Sequence, residues 1–247
     1  MAGDRKIEGA GWIGFLAGFA ALFAVLQGSA AALQSLRGEW GFAVAALTLI
    51  AALALQRFVF GSTWRTAFAD LGLGRPLSRG VIVALVLSTA LLCVFPLYLL
   101  LRGGVVSITP NAAWLALGLF AQAGVAEEMV FRGYLYSHIR RGRTFWPAAL
   151  LSVAPFSAAH LYLFWTMDWP IALTALALSV ALTFPFAHLY ELGGRTIWAP
   201  ALAHAVVQGA IKLLVVEDAL FLIVWMVASA VLLWCAFAVS SSAYSRS

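Results

Sequence analysis

Runs of about twenty apolar residues recur along this chain, and they restrict its fold more than any other feature. An α-helix rises about 1.5 Å per residue, so roughly 20 apolar residues cross a hydrocarbon core about 30 Å thick. Eight such runs stand near residues 11–35, 40–60, 81–101, 112–138, 145–164, 169–190, 196–214 and 217–239. Backbone groups in lipid must be satisfied within their own segment, so each run is expected to be a helix. Of the 247 residues, 64% are hydrophobic and only 10% are charged, against about a quarter charged in a soluble domain. The expected fold class is all-α: a polytopic membrane bundle of about eight transmembrane helices, forming one domain over residues 1–247. The stretch FGSTWRTAFADLGLGRPLSRG (60–80) is amphipathic, with glycines and a proline. It is expected to lie along the membrane interface between the second and third spans.

The first apolar run is longer than the roughly 7–15 residues of a signal-peptide core, so it reads as a span. The tail SSSAYSRS is expected to be frayed. Cys93 and Cys235 lie in apolar runs and carry no disulfide or zinc spacing. The net charge of +5 follows topology and does not imply a nucleic-acid partner, because the basic residues cluster at the ends of the apolar runs. With the N-terminus inside, eleven basic residues fall on the cytoplasmic side: Arg5, Lys6, Arg57, Arg65, Arg75, Arg79, Arg140, Arg141, Arg143, Arg195 and Arg246. Three fall outside: Arg37, Arg102 and Lys212. The positive-inside rule therefore favours both termini inside. Arginine bias and abundant alanine suggest a prokaryotic gene, and so an inner membrane.

Against this background the charges of AEEMVFRGYLYSHIRR (126–141) stand out. An ionised residue at the centre of a span costs about 2.5–3.5 kcal/mol on insertion scales, so Glu127, Glu128 and Arg132 need compensation. Glu128 and Arg132 are four apart with the acid first, the favourable order for an ion pair on one helix face. Glu127 points about 100° away, towards no basic residue, with the small Ala123 and Gly124 one turn before it. The pair of glutamates divides into a structural carboxylate and an uncommitted one. Charges of this kind mark functional sites when partners exist.

Two histidines are such partners. His160, in PFSAAHLYLF, and His204, in APALAHAVVQGAIK, each lie within a run and are flanked by alanines. His138 and His188 lie near span ends, where an interfacial role is expected. At 1.5 Å per residue, Glu127, His160 and His204 lie roughly 19, 25 and 14 Å from the cytoplasmic ends of their helices, depths that ordinary tilt can bring together. Gln208 follows His204 by one turn and adds an amide donor. A buried carboxylate, a histidine sharing its proton and a histidine–amide pair suit the addition of water to a carbonyl.

The sequence resembles the CAAX-endopeptidase and bacteriocin-processing family of intramembrane glutamic proteases. Three motifs of that family, EExxxR, FxxxH and HxxxN, appear in order as EEMVFR (127–132), FSAAH (156–160) and HAVVQ (204–208), and the likeness extends over about residues 65–212. The resemblance implies that Glu127, with His160, activates the attacking water. It implies that His204 and Gln208 hold the oxyanion, that Glu128 and Arg132 are a structural pair, and that Phe156 supports the second motif. It also implies a membrane-associated peptide or protein substrate, a CAAX-like tail or a C-terminal sorting peptide, and no cofactor. Gln208 departs from the family's asparagine by one methylene, which puts the turnover rate in question. Three alternatives stand beside the protease reading. One Glu and two His could ligate zinc, although HExxH is absent. The same fold could bind peptides without cutting them, as a scaffold or immunity-type protein. A proton-coupled transporter lacks the expected inverted repeat.

Overall fold

The computed structural model describes residues 11–33 and 40–240. Arg5, Lys6, Arg37, Arg246 and the tail from residue 241, expected from the sequence to be frayed, lie outside the described residues. The chain forms α1 (Gly11–Ala32), α2 (Gly41–Phe58), α3 (Trp64–Asp70), α4 (Ser78–Leu92), α5 (Val94–Arg102), β1 (Val106–Ile108) and α6 (Ala112–Leu119). Two π-helical stretches follow, Phe120–Ala126 and Met129–Tyr136, then α7 (Ser137–Ile139), α8 (Phe145–Ala158) and α9 (Leu163–Thr166). The chain continues with α10 (Trp169–Leu192), α11 (Trp198–Leu213), β2 (Leu214–Val216), α12 (Ala219–Trp234) and a closing 3₁₀ turn, Cys235–Ala238. The all-α polytopic class holds, with one addition: a two-stranded antiparallel ribbon in which Val106 pairs Val216 and Ile108 pairs Leu214.

Among the described residues, seven helical segments are long and apolar enough to cross a membrane: Gly11–Ala32, Gly41–Phe58, Ser78–Arg102, Ala112–Ile139, Phe145–Thr166, Trp169–Leu192 and Ala219–Ala238. The eighth expected span, 196–214, is the 16-residue helix α11, shorter than the others. Its two ends are nevertheless tied to opposite ends of the third span. The Leu77 amide, just before α4, donates to Gly193 at 3.0 Å, and the Ile197 amide donates to Gly72 at 2.9 Å. Beyond the far end of α5, the Thr109 amide donates to Leu213 at 2.9 Å and the β ribbon closes over the junction. So α11 packs along α4, and its Leu213 end joins the chain that follows α5 through the ribbon.

The amphipathic stretch is more embedded than its pattern suggests. Thr63 caps α3 by accepting from the Thr66 amide at 3.3 Å. Trp64 and Phe68 stay exposed while Ala67 and Leu71 are fully buried. The following loop packs on the turn between α10 and α11. A Cβ on Gly80 would stand 2.5 Å from the Gly193 backbone, so only glycine permits this approach. At the ribbon end, Asp218 caps α12 through the Leu220 amide and accepts from the Tyr98 hydroxyl. The Tyr98 hydrogen bond is the main cause holding the Asp218 carboxyl below its ordinary range.

Two apolar clusters make up the interior. One draws on α1, α2, the second π stretch and α8, with Phe15, Leu22, Met129, Phe131 and Phe156. The other draws on α4, α5, α10, α11 and α12, with Leu91, Phe95, Phe186, Val207 and Trp225. Buried charges sit at the seam between them. Gly80→Ala should lower the thermal midpoint in detergent, since forcing a methyl into a packed backbone contact costs about 1–3 kcal/mol. An unchanged midpoint would show that the α4–α10 contact is slack.

Candidate active site

Glu127 and Glu128 form the only ordinary helical step between the two π stretches. A π turn takes one residue more than an α turn, and such insertions are frequent at functional sites. Glu128 is fully buried and Arg132 is 2% exposed. Their ion pair is present, with Arg132 Nη1 donating to Glu128 Oε1 at 2.9 Å. Aromatic faces take up part of the remaining positive charge: the guanidinium carbon lies 4.1 Å from the Phe156 ring centre and 5.1 Å from that of Phe186. Desolvated contacts of this kind are worth about 2 kcal/mol. Glu128 Oε2 and Arg132 Nη2 have no hydrogen-bond partner among the described residues.

Glu128 has a second partner that its sequence position does not announce. His204 Nδ1 lies 2.7 Å from the same Oε1, reaching across from α11. An oxygen already accepting from Arg132 belongs to an ionised carboxylate, so Nδ1 carries the hydrogen and donates it. That bond turns His204 Nε2 towards Glu127, whose Oε2 is 3.8 Å away. The imidazole stacks on Phe186, ring centres 4.9 Å apart. Glu127 keeps 15% of its side chain exposed, where Glu128 keeps none. The uncommitted carboxylate is therefore the accessible one.

The small residues beside Glu127 serve a different purpose from the one their size suggests. A Cβ on Gly124 would meet the Ala201 carbonyl oxygen at 2.8 Å. The space holds α11 itself, pressed close enough to deliver His204.

His160 lies just past the end of α8, in the turn that leads to α9. Pro155 has removed one rung of the helical ladder a turn earlier. Its Nδ1 is 3.1 Å from the Phe156 carbonyl oxygen. A carbonyl can only accept, so Nδ1 carries the hydrogen and Nε2 is left with a lone pair. The Phe156 ring lies between the two histidines, 5.3 Å from the ring of His160 and 6.2 Å from that of His204. Gln208 is half-buried one turn after His204, and its Oε1 faces Lys212 Nζ at 3.5 Å. Glu127, Glu128, Arg132 and His204 thus form one connected group, with Phe156 and His160 against it and Gln208 along α11. No group of three or more His, Cys, Asp or Glu side chains among the described residues is arranged to hold a metal ion.

The other two histidines have packing roles. His188 is completely buried, its Nε2 2.9 Å from the Val239 carbonyl oxygen, in contrast to the interfacial role expected for it. His138 stacks on Phe15 with ring centres 3.7 Å apart. A second charge cluster went unread in the sequence. Buried Glu191 accepts from Arg140 Nε at 2.9 Å, Tyr136 at 3.1 Å and Arg195 Nε at 3.4 Å. The four-residue spacing of Glu191 and Arg195 was the available signal.

Removing one partner of a buried pair costs about 3–5 kcal/mol. Glu128→Ala, which strands both Arg132 and His204, should therefore abolish or severely reduce folded protein in size-exclusion and melting assays. A variant as stable as the parent would show that Glu128 is not the tie between the helices.

None of the curated proteins matches the chain. Residues 109–210 match the family described as type II CAAX prenyl endopeptidase Rce1-like. That matching segment, about two fifths of the chain, holds Glu127, Glu128, Arg132, His160, His204 and Gln208, and it is similar to the CAAX-type intramembrane proteases.

Proposed function

We propose that the protein is a glutamic-type endopeptidase that cuts a peptide bond in a membrane-associated substrate with water activated by Glu127. The observation that carries this reading is the orientation of His204, which donates Nδ1–H to Glu128 and presents Nε2 to Glu127. With His204 protonated, Glu127, Glu128, Arg132 and His204 sum to zero charge, so a buried site can hold all four ions. Glu127 then takes a proton from the attacking water, with the His160 Nε2 lone pair accepting the second water hydrogen. As the carbonyl carbon becomes tetrahedral, its oxygen gains negative charge. His204 Nε2–H and the Gln208 amide are the donors for it. Glu127 returns its proton to the leaving nitrogen, and the peptide bond breaks. Such a cycle uses no metal.

The substrate is a membrane-anchored peptide or protein tail, and the catalytic unit is the likeness over 65–212. Eight crossings, supported by the ties at both ends of α11, put both termini on one side. The basic residues then favour the cytoplasm for that side, in the inner membrane of a prokaryotic host.

Glu127→Gln should fold with the parent's melting temperature and cleave nothing, and the parent should keep full activity after dialysis against a strong chelator. Activity lost on chelation and restored by zinc would replace the glutamic mechanism. Gln208→Ala should lower kcat by about 10²–10³-fold, the usual effect of losing one oxyanion donor, with little change in KM. Gln208→Asn should equal or exceed the parent, because the shorter amide restores the family's spacing. A parent that cuts no membrane peptide, with neither substitution altering peptide binding, would instead indicate a peptide-binding scaffold.

A further inference from the structure

We infer that the side-chain amide of Gln122 binds the main chain of the substrate beside the bond that is cut, holding the N–H and C=O of one extended residue; this rests on the protease reading above. Gln122 lies in the first π stretch, and the Glu127 amide donates to its carbonyl oxygen. A bond across five residues closes a π turn, so Gln122 stands one turn before the uncommitted carboxylate on the same helix. Ala121, Ala123, Gly124 and Ala126 are buried, whereas Gln122, like Glu127, stays partly open.

Two helix contacts fix its level. The Leu119 side chain lies 3.6 Å from where a Cβ on Gly209 would stand, and the Ala201 carbonyl oxygen 2.8 Å from one on Gly124. The two segments run in opposite directions, so Gln122, between Leu119 and Gly124, faces the part of α11 between Gly209 and Ala201. His204 and Gln208 belong to that part. Side chains on a helix lean towards its N-terminus, which tilts the Gln122 amide towards Leu119 and so towards the Gln208 end of the interval.

Nothing inside the protein uses that amide. Among the described residues its side chain makes no hydrogen bond, and neither its nitrogen nor its oxygen is sealed from the outside. A polar side chain in a span is costly without a partner, and it marks a functional position. An extended peptide entering the membrane brings the same difficulty, because its main-chain groups have left water and have no helix to satisfy them. The N–H and C=O of one extended residue point to the same side, as they do when paired strands exchange two bonds. A glutamine amide carries both an acceptor and donors, and so matches that pair. Gln208 keeps the oxyanion, and Gln122 acts on a neighbouring residue of the substrate.

The test uses a palmitoylated, fluorescein-labelled apolar octapeptide and a series of its esters, each with one backbone N–H replaced by oxygen. Binding is measured by anisotropy on detergent-solubilised Glu127→Gln protein, which keeps the peptide whole. Adding Gln122→Leu should weaken binding roughly tenfold, the loss expected when buried hydrogen bonds go unmade. Gln27→Leu, a like change in α1, should leave binding unaltered. One ester should bind about tenfold more weakly than the parent peptide when Gln122 is present, and no more weakly than it when Gln122→Leu is present. The thermal midpoint of Gln122→Leu should equal or exceed the parent's, because leucine removes an unpaired polar group from the span. A lowered midpoint would show that Gln122 serves the fold, and overturns the inference. Unaltered binding overturns it too, as does failure of the peptide to bind or an ester penalty that survives Gln122→Leu. In the protein with Glu127 intact, Gln122→Leu should raise KM about tenfold at similar kcat. A loss confined to kcat would place Gln122 in the chemical step and overturn the clamp. Binding that depends on Gln122 with no cleavage at all supports the clamp and overturns the protease reading alone.

Discussion

One oxygen atom connects the two halves of this molecule. Glu128 Oε1 accepts from Arg132 on its own helix and from His204, 76 residues further along the chain. The first bond makes a buried carboxylate tolerable, and the second uses that carboxylate to aim an imidazole. Each depends on the other. Without Arg132, Glu128 would carry an uncompensated charge at the seam. Without Glu128, His204 would have no reason to turn Nε2 towards Glu127. Division of labour between adjacent glutamates follows from burial: one is enclosed and fully engaged, while the other retains contact with the outside.

Much of this was legible in the sequence, and the part that was not is equally instructive. The four-residue spacing predicts the Glu128–Arg132 pair correctly, because that contact is local and helical. The apolar runs predict the helices, because lipid leaves few other options. The His204–Glu128 bond was not legible: it joins distant elements, and its existence depends on how closely α11 approaches at Gly124. Nor could an ideal 3.6-residue period reveal the π turns on either side of the glutamates, since they rotate the side chains by an amount that no local residue type signals. Phe186, which stacks on His204 and lies near Arg132, resembles any core aromatic when viewed in sequence. Gly124 is small because a helix, α11, presses against it.

The candidate site draws mainly on helical segments and not on the connecting loops. The carboxylates lie between two π stretches of one long span, and His204 comes from a helix fixed at both ends by backbone hydrogen bonds. His160 is the exception, standing in a turn beyond a proline-interrupted helix. Its position is set by the Phe156 carbonyl and ring, which also border Arg132 and His204. Phe156 thus links the elements of the candidate site without a polar side chain of its own.

The short length of α11 has a consequence for the surrounding lipid. Its 16 residues span about 24 Å, some 6 Å less than an ordinary hydrocarbon core. Hydrophobic mismatch of this size is met by a thinner bilayer or by polar chain standing within the acyl region. Here the chain leaves α11 directly into the β ribbon, whose two strands pair with one another, so the helix that carries His204 is the one that a bilayer of ordinary thickness fits least well.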